Sequence, residues 1–234
     1  MSLLSICREA AAEVGVSAPA SIIGNGETTA VRLLAAAKRE VFGLSRSAAW
    51  SALVKEHSFA TTTGASAQTG GLPEDFDYVI DATAWDRTAG RPLEGPLTAQ
   101  AWQSLKASAA APALGRAFRI FGGEFHLYPT PTTAGDEIAY EYASATIVTA
   151  AGGGGQSGWL ADDDSFVLSE ELATMGVKWR FKKAIGLAYD DDLNEYLSVL
   201  ARTIARDGGR ATLRLDGPAG LGLPRLPDGD FPES

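Results

Sequence analysis

A chain of 234 residues, 45% hydrophobic and 21% charged, has the makeup of an ordinary folded protein able to bury its own core as one large domain or two small ones. Its formal charge of -9 argues against a nucleic-acid binder that neutralises phosphates, a mode that needs a basic footprint, although DNA could still slide past a weakly repelling wall. Cys7 is the only cysteine, so no disulfide forms within the chain, and no run of about 18 uncharged apolar residues offers a membrane span.

Ser2 is placed to cap a first helix with Leu3, Ile6, Cys7, Ala10 and Val14 on one side, and Gly15 to end it. Arg8 and Glu9 interrupt the apolar run, so this segment reads as an amphipathic helix and not as a secretory leader. After a loop with Pro19 and the turn Gly24-Asn25-Gly26, the spacing predicts a longer helix from Thr28 or Thr29 to about Ala49. Val31, Leu34, Ala35, Val41 and Phe42 form its apolar repeat. Arg32, Arg39 and Arg46 fall seven apart on one stripe, either a solvated face or one turned to a neighbouring subunit or a channel.

Trp50 to Phe59 opens a β-rich region, and Thr61–Gly71 is a polar loop. The stretch Leu72–Lys106 combines a strand-like Tyr78-Val79-Ile80, the dense Asp81–Arg91 segment, a Pro-rich turn and a short amphipathic helix with Trp102 and Leu105. Trp85 and Trp102 are expected to pack this connection. Asp86, Arg87 and Arg91 either hold the turn internally or bridge adjacent subunits. Beyond the small-residue linker Ser108–Pro112, Ala117–Phe121 and Glu124–Tyr128 flank Gly122-Gly123, the dipeptide that a tight hairpin turn prefers. Glu137–Ser144, with Ile138, Tyr140 and Tyr142, completes a small antiparallel sheet, and Gly152–Gly155 reads as a flexible tip or a disordered loop.

Ser169-Glu170-Glu171-Leu172 is a good helix start, with acids at the positive end of the dipole. This third long helix carries Leu172, Met175, Val177, Trp179, Phe181 and Ile185 on more than one side, as a central helix does, and Gly186 ends it. Lys178, Arg180, Lys182 and Lys183 form the densest basic cluster, which either pairs with nearby acids or faces a polyanion or partner. A fourth helix starts at Asp190-Asp191-Asp192, with Leu193, Tyr196, Leu197, Leu200 and Ile204 as its apolar face, and Gly208-Gly209 stops it. From Arg210 periodicity vanishes among prolines and glycines, yet Leu213, Leu215, Leu221, Leu223, Leu226 and Phe231 make the segment too apolar for a solvated tail. It reads as an extended arm that docks on a partner.

The order is therefore an N-terminal helix pair (1–50), a β-rich insertion (51–160), a C-terminal helix pair (161–209) and an extended arm (210–234). Two helical pairs distant in sequence would pack as a bundle with the antiparallel β region projecting from it, an α+β architecture.

Catalytic patterns are not evident. His57 and His126 are the only histidines, His126 within an alternating strand, and with one cysteine they give no zinc spacing. Gly24–Thr29 lacks the lysine of a phosphate loop and is better explained as a turn with a helix cap. The triplets Asp162-Asp163-Asp164 and Asp190-Asp191-Asp192 lack the spaced pattern of a calcium loop and read as acids favoured ahead of helices. The carboxylate pair of a glycosidase could be drawn from any chain with 29 acids. The expectation is a protein without a cofactor, metal or catalytic residue.

Five segments together carry a family resemblance: LLSICREAAAEVGVSAP, LLAAAKREVFGLSRSAAW, DATAWDRTAGRPLEGPLTAQAWQSLK, FRIFGGEFHLYPTP and WRFKKAIGLAYDDDLNEYLSVLARTIARDGG. In order and content they resemble the head-to-tail adaptor proteins of tailed bacteriophages, over most of residues 2–209. The resemblance implies a structural virion protein at the head–tail junction, made in the bacterial host cytoplasm. It implies a ring of copies, usually a dodecamer, that docks on the portal protein, extends the DNA channel without specific DNA contacts, and offers a seat to the next tail component, whether stopper, nozzle or tail tube. On this reading Arg210, Leu213, Leu215, Leu221, Leu223, Pro224, Leu226 and Phe231 form the portal-binding arm. Arg32, Arg39, Arg46, Arg87, Lys178, Lys182 and Lys183 are the candidates for subunit contacts or a channel lining. A later tail component, or a tail-associated peptidoglycan hydrolase, is the alternative.

Overall fold

The computed structural model describes residues 2–108, 112 and 115–208. Five helices occur among them: α1 (Leu3–Val14), α2 (Thr28–Ser45), α3 (Ala99–Ser108), α4 (Glu170–Ile185) and α5 (Asp190–Asp207). Their ends follow local chemistry. The Ser2 hydroxyl accepts the Ser5 N–H at 3.3 Å, and Ser169 does the same for Leu172, each satisfying one of the first-turn donors that a helix leaves orphaned. Gly15 and Gly186 close α1 and α4 at φ 77° and 79°, a left-handed conformation that glycine adopts without steric cost.

Helix α4 is central, packing against α1, α2 and α5. Its buried Leu172, Ala173, Val177 and Phe181 share one core with Leu3, Ile6 and Cys7 of α1 and with Leu33, Ala37 and Leu44 of α2. Burial pushes the Cys7 thiol up to about 12, with the charge of Asp162 adding to the effect, so it behaves as a small apolar side chain. Helix α5 lies at the edge of the bundle. Tyr196 is its one buried residue, while Leu193 and Leu200 are half-buried and Leu197 points outward.

Two expectations about α2 need correction. The helix ends at Ser45 and not near Ala49. The Trp50 indole donates to the Leu44 carbonyl at 2.6 Å and is buried, which turns the chain back under the helix end. Its core face is Ala30, Leu33, Ala36, Ala37, Val41 and Leu44, whereas Val31 and Phe42 are about half exposed, at 50% and 51%. Small residues mislead here. Alanines and Gly176 allow α2 and α4 to approach closely, so the closest-packed face is not the one with the largest apolar side chains.

The inserted region is antiparallel, as expected from the sequence. In chain order its strands are β1 (Val54–Ala60), β2 (Ala67–Gln68), β3 (Phe76–Val79), β4 (Trp85–Asp86), β5 (Arg91–Pro92), β6 (Ala117–Phe121), β7 (Glu124–Tyr128) and β8 (Glu137–Ser144). Strand β8 pairs with β1 from Val54↔Ala143 to Ala60↔Glu137, and also with β3 and β4. Covered on both faces, it is buried at six of its eight positions. The hairpin β6–β7 turns at Gly122 and Gly123, both at positive φ, and β2 adds to β7. Phe59, Phe118, Phe125, Leu127, Ile138, Tyr140 and Tyr142 form a second core, separate from the helical one. Trp102 is buried, with its ring edge-on to Phe121 and Tyr128, while Trp85 is half-buried.

The chain then returns to the helices through β9 (Val148–Thr149), β10 (Gly155–Gln156) and β11 (Ser165–Phe166), a three-stranded ribbon with β9 in the middle. Gly152–Gly155 is thus no loose tip. The Gly153 N–H donates to the Ala150 carbonyl, the Ala150 N–H donates to the Gly154 carbonyl, and Gly155 pairs with Thr149. Ile147, Val148, Trp159 and Phe166 belong to the helical core. Asp162 sits at no helix start either; its carboxylate accepts the N–H groups of Ile22 and Ile23, tying the loop between α1 and α2 to the ribbon. The arm, residues 210–234, and Gly209 lie outside the described residues.

One carboxylate links the β unit's strands to the segment before β3. Asp75 accepts from Lys55 Nζ at 2.7 Å, from Ser144 Oγ at 2.6 Å and from the Tyr142 hydroxyl at 2.7 Å. Burial alone would raise its pKa, but these donors outweigh it and hold the carboxyl well below the usual range. Burial, and then the bond to Asp75, push Tyr142 up to about 12. A depressed carboxylate contributes stability that is present above the unfolded value of about 4 and is lost as pH falls below it. Asp75→Asn should therefore lower the melting temperature at pH 7 and flatten its fall between about pH 4 and pH 2. A variant with an acid limb as steep as the parent's would refute this role.

Candidate interaction face on the helices

Arg32, Ala35, Arg39 and Phe42 of α2 and Arg46 just past its end all lie exposed, with Val31 beside them. At about 100° per residue they span roughly a third of the helix circumference, turned away from the buried core face of α2. The three arginines of the sequence pattern thus share a stripe with the two apolar residues that the core does not use. Arg46 stacks over Phe42, 4.9 Å from the ring centroid, and approaches Asp77 at 3.9 Å.

Between this stripe and α4 lies a cleft of about 470 Å³, lined by Arg32, Ala35, Ala36 and Arg39 from α2 and by Trp179, Arg180, Lys183 and Ala184 from α4. Beneath it Glu40, fully buried, accepts from Arg180 Nε at 2.7 Å and from the Tyr196 hydroxyl at 2.6 Å, joining α2, α4 and α5. Burial, then the bond to Glu40, raise the Tyr196 hydroxyl well above its ordinary value. A Cβ at Gly176 would collide with the Glu40 carboxylate, so only glycine leaves room for the charge. Arg180 also lies over the Trp179 ring at 4.3 Å.

The remaining basic candidates divide into two groups. Lys178 bonds Glu13 at 2.6 Å and Asp192 at 3.0 Å, and Lys182 bonds Asp192 at 2.5 Å, so both tie helices together inside the molecule. The pull of these two ammonium groups outweighs burial and holds the Asp192 carboxyl below its ordinary value. Arg32, Arg39 and Lys183 make no ion pair among the described residues. Lys183 rests 5.5 Å from the Tyr189 ring centroid. Arg87 lies away from this face, bonded across the sheet to Glu56 at 2.8 Å and Glu137 at 3.3 Å. The arm candidates Arg210, Leu213, Leu215, Leu221, Leu223, Pro224, Leu226 and Phe231 fall outside the described residues.

Sequence reasoning missed two buried networks. Arg116 bridges Asp86 at 2.8 Å and Asp136 at 2.5 Å; partners 30 and 20 residues away leave no local signal. Glu40 did leave one, since it stands seven residues after Leu33 and four before Leu44, on the core face of α2. His57 bonds the Gly70 carbonyl at 2.8 Å and His126 stacks on Phe121, both within the β unit.

The fold defines the class first: an α+β protein whose helical pairs, brought together from the two ends of the chain, flank an inserted antiparallel β region and carry a cationic cleft. The chain belongs to the SU10 adaptor protein family, whose model matches residues 1–219. It is a bacteriophage adaptor and a structural component of the virion. The comparison with curated proteins returned no match. No described helix is long and apolar enough to cross a membrane.

Proposed function

We propose that this chain is a head-to-tail adaptor: copies form a ring of twelve beneath the portal, extend the DNA conduit and provide the attachment site for the next tail component. The observation that carries the reading is the family match, which spans both helical pairs and the β unit and reaches residue 219, into the arm. In mechanism, residues 210–234 order along the portal, where burial of the leucines and of Phe231 together with backbone pairing offsets the lost chain entropy. A single arm contact of this kind is modest. Repetition around a ring converts it to tight attachment, because each later contact forms at high effective concentration.

The test is to mix the purified protein with its portal and image the complex for a stacked ring, then repeat with residues 210–234 deleted. Attachment should drop at least a hundredfold in the truncated chain, while its melting temperature stays within about 2 °C of the parent's. Undiminished portal affinity after truncation would sink the arm's role.

A further inference from the structure

We propose that copies of this chain join head to tail through two oppositely charged clefts on opposite sides of α4, the acidic side of one copy seating against the cationic cleft of the next. This rests on the ring reading above and names the surfaces that would form the ring.

The acidic side is a cleft of about 260 Å³ where α1 meets the start of α4, lined by Glu9, Glu13 and Glu171. Glu13 is held by Lys178, whereas Glu9 and Glu171 are exposed. The same cleft is lined by Thr174, 5% exposed, whose hydroxyl is buried with no hydrogen-bond partner. Buried polar groups are nearly always bonded, so an unpaired one at a surface cleft marks a place where a partner group is expected. The cationic side repeats the pattern with reversed sign. Arg32, Arg39 and Lys183 are exposed without an ion pair among the described residues, and the buried indole N–H of Trp179 lacks an acceptor.

The two clefts do not overlap. At about 100° and 1.5 Å per residue, Glu171, Thr174 and Met175 lie roughly 160° around α4, and about 12 Å along it, from Trp179, Arg180, Lys183 and Ala184. Opposite charges on opposite sides of one subunit give a heterologous contact, which repeats from copy to copy and closes into a ring when the rotation allows. Composition favours a protein partner over DNA. On the same exposed side of α2 as Arg32 and Arg39 stand Val31 and Phe42, and arginine with aromatic side chains is the mixture enriched at protein interfaces. A chain of charge -9 repels a polyanion at long range, whereas it offers its own glutamates at the facing surface.

The experiment uses the full chain on its portal at about 0.1 M salt, with copies per complex read by mass measurement and imaging. One variant carries Arg32→Glu, Arg39→Glu and Lys183→Glu; a second carries Glu9→Lys and Glu171→Lys; a third combines all five. Either face reversed alone should weaken copy-to-copy association about tenfold or more, and the combined variant should restore it. Raising salt to about 1 M should weaken the parent's association, since screening shortens to about 3 Å. Neutral glutamine replacements at the same positions, expected to fall between parent and reversal, cover a reversal that lowers the melting temperature. Rings that form equally well from every variant overturn this pairing and leave the ring reading intact. A cationic-face variant that assembles normally but loses retention of duplex DNA assigns the cleft to DNA and also overturns it. A parent chain that forms no ring on the portal overturns both.

Discussion

Arg180→Ala should destabilise the folded protein by about 3–5 kcal/mol, a large part of the roughly 5–15 kcal/mol that holds a domain together. Glu40 has no exposed surface, and Arg180 lies 2.7 Å from its carboxylate. Removing the guanidinium leaves a buried charge with only the Tyr196 hydroxyl as its partner. Stability then falls because the acid is stranded, so the pair need not contribute that much itself. Replacing all three groups with apolar ones of similar size, as in Glu40→Met with Arg180→Met and Tyr196→Phe, should bring the loss to within about 1 kcal/mol of the parent. Denaturant unfolding with an unchanged slope measures both effects. A loss below about 1 kcal/mol for Arg180→Ala would show that the guanidinium does not hold the Glu40 side chain in the core.

The β unit has its own keystone. Phe125→Ala should lose about 3–5 kcal/mol, the range for deleting a buried aromatic from a core that does not collapse around the gap. Phe125 has no exposed surface; it stacks on Phe118 at 4.9 Å and on Tyr140 at 5.3 Å, and meets Phe59 edge-on at 5.2 Å. One deletion therefore loosens three neighbouring rings at once. Phe125→Leu fills most of the volume and should lose less than half as much. Chevron or equilibrium unfolding of the two variants side by side decides it, and equal losses would show that ring stacking, not volume, governs the site.

Local signals in this sequence were reliable where one residue settles the backbone. Ser2, Ser169, Gly15 and Gly186 set helix ends through a hydroxyl or a left-handed φ, and Gly122-Gly123 set a hairpin. The central place of α4 was also legible, because its apolar residues occupy more than one side. The face of α2 was not. Apolar size pointed to Val31 and Phe42, while close packing on Gly176 selected Ala36, Ala37 and even the charged Glu40 for the interior. In the basic cluster, adjacent lysines differ in fate because each turns about 100° further around the helix: Lys182 reaches Asp192, and Lys183 opens onto the cleft.

The sequence by itself determined the order of the helices around a β-rich insertion, the α+β class and, through five recognisable segments, the adaptor family, all of which rest on short-range chemistry or on segment order. Tertiary structure alone decided which charges are paired internally and which stay exposed. Contacts such as the Glu40–Arg180 ion pair and the hydrogen bond from the Ile22 N–H to Asp162 join residues 140 apart, and no local pattern encodes which groups the fold brings within about 3 Å.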